Sequence, residues 1–212
     1  MRDDPHAEQP VIWRGLDPSN ARLVVVLVHG RGASADAIFT LADQFEVADV
    51  AYVAPEAADR TWYPYSFLAP MEQNEPKLSS ALHLLEGVMD DVVRRGIPSS
   101  RIALVGFSQG ACLALEYAAR HAQRYAAIAG LSGGLIGPPG TARDYAGTLA
   151  QTPLFLGCSD VDAHVPVERV HESAAVFSHL GAVVDERIYP GMGHTVNRDE
   201  LDAVRALLGA PR

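Results

Sequence analysis

The chain of 212 residues holds only two cysteines, Cys112 and Cys158, too few for a disulfide scaffold. It also lacks a long hydrophobic run. The longest aliphatic stretch, 23–28, is six residues, whereas a membrane-spanning helix needs about 20. Positive charge is scarce: 17 Lys and Arg stand against 26 Asp and Glu, a formal net charge of −9. A nucleic-acid binder carries a basic face, and these counts argue against one. The first residues, Met1-Arg2-Asp3-Asp4-Pro5, are acidic and poor in apolar side chains, unlike a secretory signal. No internal repeat or low-complexity tract occurs. These absences leave an acidic cytoplasmic protein, with neither nucleic acid nor membrane insertion expected; a homodimer is compatible with all of them.

What is present is ordinary for a globular fold, with 48% hydrophobic and 20% charged residues. At about 150 residues per domain the length favours one domain. Residues 1–10 read as a loose polar leader and 11–212 as a single domain. Short aliphatic runs at 24–28, 50–54, 101–106, 126–131, 153–157 and 183–189 read as buried strands. Between them lie helical patterns. Leu78, Leu82, Leu85, Met89 and Val92 recur in steps of four and three, which puts them on one helix face. Gly96 and Pro98 then stop that helix. Strands alternating with helices predict an α/β fold with a mostly parallel sheet. The Gly- and Pro-rich stretch 133–147 reads as a surface loop.

Directly after the third predicted strand comes Gly106-Phe107-Ser108-Gln109-Gly110, followed by a helix-forming run. A serine on so sharp a strand-to-helix turn projects its hydroxyl above the sheet, and only small residues fit on either side. The helix N-terminus adds partial positive charge near a developing oxyanion. Ser108 is therefore the candidate nucleophile, and it needs a base. Of eight histidines, His194 is the candidate. It lies in Pro190-Gly191-Met192-Gly193-His194, a flexible loop between the last strand and the last helix. His164, in the loop after the fifth strand, is a lesser candidate. The acid that orients the imidazole belongs between serine and histidine in chain order. Asp160 and Asp162 both qualify, and the residues alone do not separate them.

These motifs resemble the phospholipase/carboxylesterase group of α/β-hydrolases, which includes bacterial carboxylesterases and acyl-protein thioesterases. The resemblance extends from Leu23 onward. It rests on His29-Gly30-Arg31-Gly32, Gly106 to Ala111, Asp162 three residues before Val165-Pro166, and Gly191-Met192-Gly193-His194. It implies an α/β-hydrolase fold with helices on both faces of the sheet and little or no cap. It selects Asp162 as the acid, completing a Ser108, Asp162, His194 triad. It also implies an oxyanion hole from the backbone N–H groups of Arg31 and Gln109. His29 is then a loop-shaping residue rather than the base. Relatives acting on long acyl chains often carry leucine where this chain has Arg31, so its side chain either reads substrate charge or pairs with a carboxylate such as Glu72 or Glu75. Trp62, Tyr63, Tyr65 and Phe67 crowd one short segment and are candidate walls of the acyl pocket, with Met192 beside them.

The activity so implied is two-step hydrolysis of small or medium carboxylic esters, or of thioesters, with no metal and no organic cofactor. No H-E-x-x-H or paired-cysteine spacing suggests zinc. Alternatives on the same scaffold are a lysophospholipase, an acyl-protein thioesterase and a ligand-binding protein without catalysis.

Overall fold

The computed structural model describes residues 4–209. Its seven strands are β1 (Val11–Gly15), β2 (Leu23–Val28), β3 (Val50–Pro55), β4 (Ile102–Phe107), β5 (Ala127–Leu131), β6 (Pro153–Ser159) and β7 (Val183–Tyr189). The helices are α1 (Ala35–Asp43), α2 (Lys77–Arg94), α3 (Gln109–Arg120), α4 (Val167–His179) and α5 (Arg198–Gly209). The strands form one sheet in the order β1-β3-β2-β4-β5-β6-β7. All neighbours are parallel except β1, which pairs antiparallel with β3 at the edge. This edge strand falls in five residues with no aliphatic run, so the pattern that revealed the other strands passes over it.

Every residue of β2 and β5 is buried, as expected for strands covered on both faces. One face is packed by α2, α3 and α4, through Leu78, Leu85, Leu113, Leu115, Val170 and Phe177. The other is packed by α1 and α5, through Ile38, Phe39, Leu201, Val204 and Leu208. This is an α/β-hydrolase arrangement, with no cap domain among the described residues. The register aligns the strand ends: Val28 pairs with Gly106, Phe107 with Leu131, Leu131 with Gly157, and Ser159 with Tyr189. The loops after β2, β4, β6 and β7 therefore open at one edge of the sheet, where open α/β sheets hold their ligands.

Two expectations are corrected. Residues 4–10 of the predicted loose leader are docked; residues 1–3 lie outside the described residues. His6 is fully buried. Its ring donates through Nε2 to the Trp62 carbonyl at 3.0 Å and accepts at Nδ1 from the Ala58 N–H at 3.0 Å. Burial holds its pKa below the usual histidine value. The segment is pinned by a histidine ring satisfied on both nitrogens, which polarity alone does not disclose. The stretch 133–147 is likewise not wholly a surface loop. Leu135 and Ile136 are buried, and Arg169 Nη1 donates to the carbonyls of Leu135 and Gly137, each at 2.6 Å.

Candidate active site

Ser108 joins β4 to α3 with φ 55° and ψ −122°, a backbone conformation that L-residues adopt only under constraint. The constraint is close packing. A Cβ at Gly106 would stand 2.4 Å from the Gly110 carbonyl oxygen, and one at Gly110 only 2.2 Å from the Val28 carbonyl oxygen. Both glycines are thus required by neighbouring backbone. The Ser108 N–H is held by the Leu131 carbonyl at 2.9 Å.

His194 bridges serine and acid. Its Nε2 is 2.8 Å from Ser108 Oγ, and its Nδ1 is 2.7 Å from Asp162 Oδ2. With a carboxylate at Nδ1, that nitrogen carries the proton and Nε2 is left to accept from the serine hydroxyl. The Asp162 side chain is fully buried. Its Oδ1 accepts from the N–H groups of His164 and Val165 at 2.8 and 3.0 Å. Cys158 Sγ lies 3.8 Å from Oδ2. Burial pushes the carboxyl pKa up, but the bonds from His194 and the two backbone N–H groups outweigh it and hold the group below the usual aspartate range. Asp160 has a different task. Its Oδ1 accepts from the Gly191 N–H at 2.7 Å, and Ser159 Oγ accepts from the Gly193 N–H at 3.0 Å. The loop after β6 is thereby stitched to the loop that presents His194.

The other histidines separate clearly. His164 stands edge-on to His194, with centroids 4.8 Å apart and planes at 74°. It lines the cavity, but its place beside Asp162 is secured by its backbone. His29 is buried, its ring donating through Nδ1 to the Gly30 carbonyl at 2.8 Å and accepting at Nε2 from the Ala57 N–H at 3.1 Å. Burial lowers its pKa. It shapes its loop, as read from the sequence.

A cavity of about 500 Å³ opens over Ser108 and His194. Tyr63, Tyr65 and Phe67 line it, together with Arg31, Gln109 and Val165. Trp62 and Met192, expected among its walls, are not. Trp62 is sealed beneath the loop, its indole N–H donating to the His29 carbonyl at 2.7 Å; a buried indole needs such a partner. Met192 turns to Asn197, whose Nδ2 lies 2.9 Å from its sulfur. The Arg31 side chain pairs with neither Glu72 nor Glu75. Nη1 donates to the Pro64 carbonyl and Nη2 to the Tyr65 carbonyl, each at 2.7 Å. Glu75 instead accepts from Ser79.

The Gln109 side chain had no role in the sequence reading. Its Oε1 accepts from the Trp62 N–H at 3.0 Å, and its Nε2 donates to the Tyr63 carbonyl at 2.8 Å. The residue after the nucleophile thus fixes the start of the aromatic wall. The only hint in the sequence is an amide side chain directly after the nucleophile, next to Gly110. Among the described residues the backbone N–H groups of Arg31 and Gln109 meet no acceptor.

The comparisons agree with this architecture. A solved phospholipase/carboxylesterase from Dyadobacter fermentans superposes with a TM-score of 0.92 at 41% identity, covering 95% of this chain and 96% of that one. The esterase PE8 superposes with a TM-score of 0.76 at 27% identity, over 95% and 98% of the two chains. Among curated relatives, acyl-protein thioesterase 1 of Gibberella zeae is 38% identical over 115 residues, which is 53% of this chain and 49% of that protein. The matched stretch thus spans about half the length of that relative. Acyl-protein thioesterase 1 of Saccharomyces cerevisiae is 24% identical over 210 residues, 89% of this chain and 92% of that protein. The family model described as Phospholipase/Carboxylesterase matches residues 8–210, and the chain belongs to that family.

Proposed function

We propose that the protein is a serine hydrolase of small or medium carboxylic esters, with thioesters as the second substrate class. The observation that carries this reading is His194 held between Ser108 Oγ at 2.8 Å and Asp162 Oδ2 at 2.7 Å. In the reaction His194 Nε2 takes the hydroxyl proton as Ser108 attacks the carbonyl carbon. Asp162, fixed by two backbone N–H groups, keeps the imidazole in the productive tautomer and stabilises the imidazolium. The free N–H groups of Arg31 and Gln109 receive the oxyanion, each worth about 3–4 kcal/mol at such a site. His194 then gives its proton to the departing alcohol or thiol, and water repeats the sequence on the acyl-enzyme.

Tyr63, Tyr65 and Phe67 make the acyl-side wall apolar. Among the described residues no helix is long and apolar enough to cross a membrane, and with the acidic composition we read the enzyme as cytoplasmic, acting without nucleic acid. The test is a fluorophosphonate probe followed by peptide mapping, with p-nitrophenyl esters of rising acyl length beside an acyl thioester. Labelling at Ser108 and turnover of short to medium esters are expected. An unlabelled Ser108 would return the protein to the ligand-binding alternative.

A further inference from the structure

Beside the main cavity lies a second one, of about 370 Å³, between α1 and the start of α5. Ile38 and Leu41 line it from α1, and Val196 and Leu201 from the α5 side. The two cavities share Gly30, Ala33 and Phe107. They meet beside the nucleophile, since a Cβ at Gly30 would stand 3.4 Å from Ser108 Cβ. From there they run to opposite faces of the sheet. Tyr63, Phe67, Cys112 and Val165 of the main cavity belong to the packing layer of α2, α3 and α4. Ile38 and Leu201 of the second belong to the layer of α1 and α5, against which Leu41, Phe107 and Val196 also pack.

An ester has two arms, which diverge from the carbonyl carbon that Ser108 attacks. The oxygen of the alcohol arm must come within reach of His194 Nε2, which protonates it as it leaves. The residues that follow His194, Thr195 and Val196, line the second cavity. Phe107, which the cavities share, stands 5.3 Å from the His194 ring. The geometry points to the α1–α5 groove as the subsite for the alcohol or thiol arm of the substrate, with the acyl arm in the main cavity. The arm it takes is apolar and uncharged. Among the described residues its walls carry no charged side chain; their polar groups are Gln44, Thr195 and the buried His29, whose pKa is lowered by burial. This assignment rests on the esterase reading above and adds to it which arm goes where.

Two isomeric esters separate the arms: hexyl acetate, with its length in the alcohol, and methyl heptanoate, with its length in the acyl group. In the wild-type protein, kcat/KM for acetates should climb as the alcohol lengthens from ethyl to hexyl, because each methylene entering an apolar site adds attraction. The effect belongs in kcat/KM, since the alcohol has left before deacylation. Ala37 is exposed on α1 and faces the groove, so Ala37→Trp fills it from a position the core does not use. The ratio of kcat/KM for hexyl acetate to that for methyl heptanoate should fall by about tenfold. An unchanged or raised ratio overturns the assignment, and so does a flat alcohol series in the wild-type protein, which needs no variant to fold. Hydrolysis of methyl heptanoate together with a flat alcohol series overturns the groove alone. Hydrolysis of neither isomer, with Ser108 unlabelled by fluorophosphonate, overturns the esterase reading and the groove with it.

Discussion

Arg31 Nη2 donates to the Tyr65 carbonyl at 2.7 Å, while Nη1 donates to that of Pro64. The loop after β2 is thereby tied to the aromatic wall across the cavity. A planar guanidinium suits the task because its N–H groups form a rigid fork. The residue proposed to bind the oxyanion through its backbone also anchors the aromatic wall through its side chain.

Arg31→Leu should therefore loosen that wall. Charge-assisted bonds at an exposed site are modest, so the expected rise in KM is about three- to tenfold. It should appear alike for neutral and anionic esters of equal length. kcat should fall less than KM rises, since the backbone N–H survives the substitution. Steady-state kinetics on a matched ester pair provides the check. A rise confined to the anionic ester would show that the side chain reads substrate charge.

Ser108 carries backbone strain as well as its hydroxyl. Ser108→Ala should abolish ester turnover with the far-ultraviolet circular dichroism unchanged, and more than a few per cent residual activity would sink the nucleophile assignment. Ser108→Gly should also be inactive but more stable, because glycine adopts φ 55° freely. Relief of a strained residue is worth about 1–3 kcal/mol, or a Tm gain of roughly 2–4 °C per kcal/mol in a domain of this size.

Much of this site was legible because its constraints are local. The elbow needs two glycines around a serine, a strand before and a helix after, all within a dozen contiguous positions. Asp160 and Asp162 are two positions apart in one loop, and only their partners, Gly191 and His194, tell them apart. Trp62 and Tyr63 are adjacent aromatics, yet Trp62 is diverted by a carbonyl its indole can reach. The α1–α5 groove joins side chains separated by more than a hundred positions, and no local pattern announces such a meeting. The docked residues near His6 were missed for the same reason.

The division of labour between the two aspartates can be measured. Asp162→Asn keeps the shape but presents an amide to Nδ1, favouring the wrong tautomer; in a comparable triad such a change costs about 10⁴-fold in kcat. Asp160→Asn keeps an oxygen that can accept from Gly191, so its loss should stay within roughly tenfold, that of one exposed hydrogen bond. Comparing kcat of both variants on one ester decides the matter. Equal losses, or a larger one at position 160, would move the acid to Asp160.

Glu200 links the His194 loop to the stability of the fold. Its Oε2 accepts from the Asn197 N–H at 2.8 Å, and Asn197 Oδ1 accepts from the Glu200 N–H at 2.9 Å. This reciprocal cap, at Asn197 three residues after His194, starts α5. Among the described residues Glu200 Oε1 has no hydrogen-bond partner, and it is sealed against Gly157, where a Cβ would stand only 2.3 Å away. Burial raises the carboxyl pKa from 4.5 to about 7. Because the folded value lies above the unfolded one, the native state holds a proton that the unfolded chain releases. The associated stability is full below 4.5 and is lost as pH rises through about 7. The loss is on the order of 1–3 kcal/mol. Glu200→Gln retains an oxygen for the Asn197 N–H and cannot ionise. Urea unfolding of both proteins at about pH 5 and about pH 8 should therefore show the variant gaining on the wild type as pH rises. Carboxylates with depressed values, such as Asp162, act in the opposite direction but equally in both proteins, so they cancel in the difference. Parallel pH profiles would mean that Glu200 ionises as an ordinary surface carboxylate does, and that the cap, rather than its protonation, is what the buried glutamate provides.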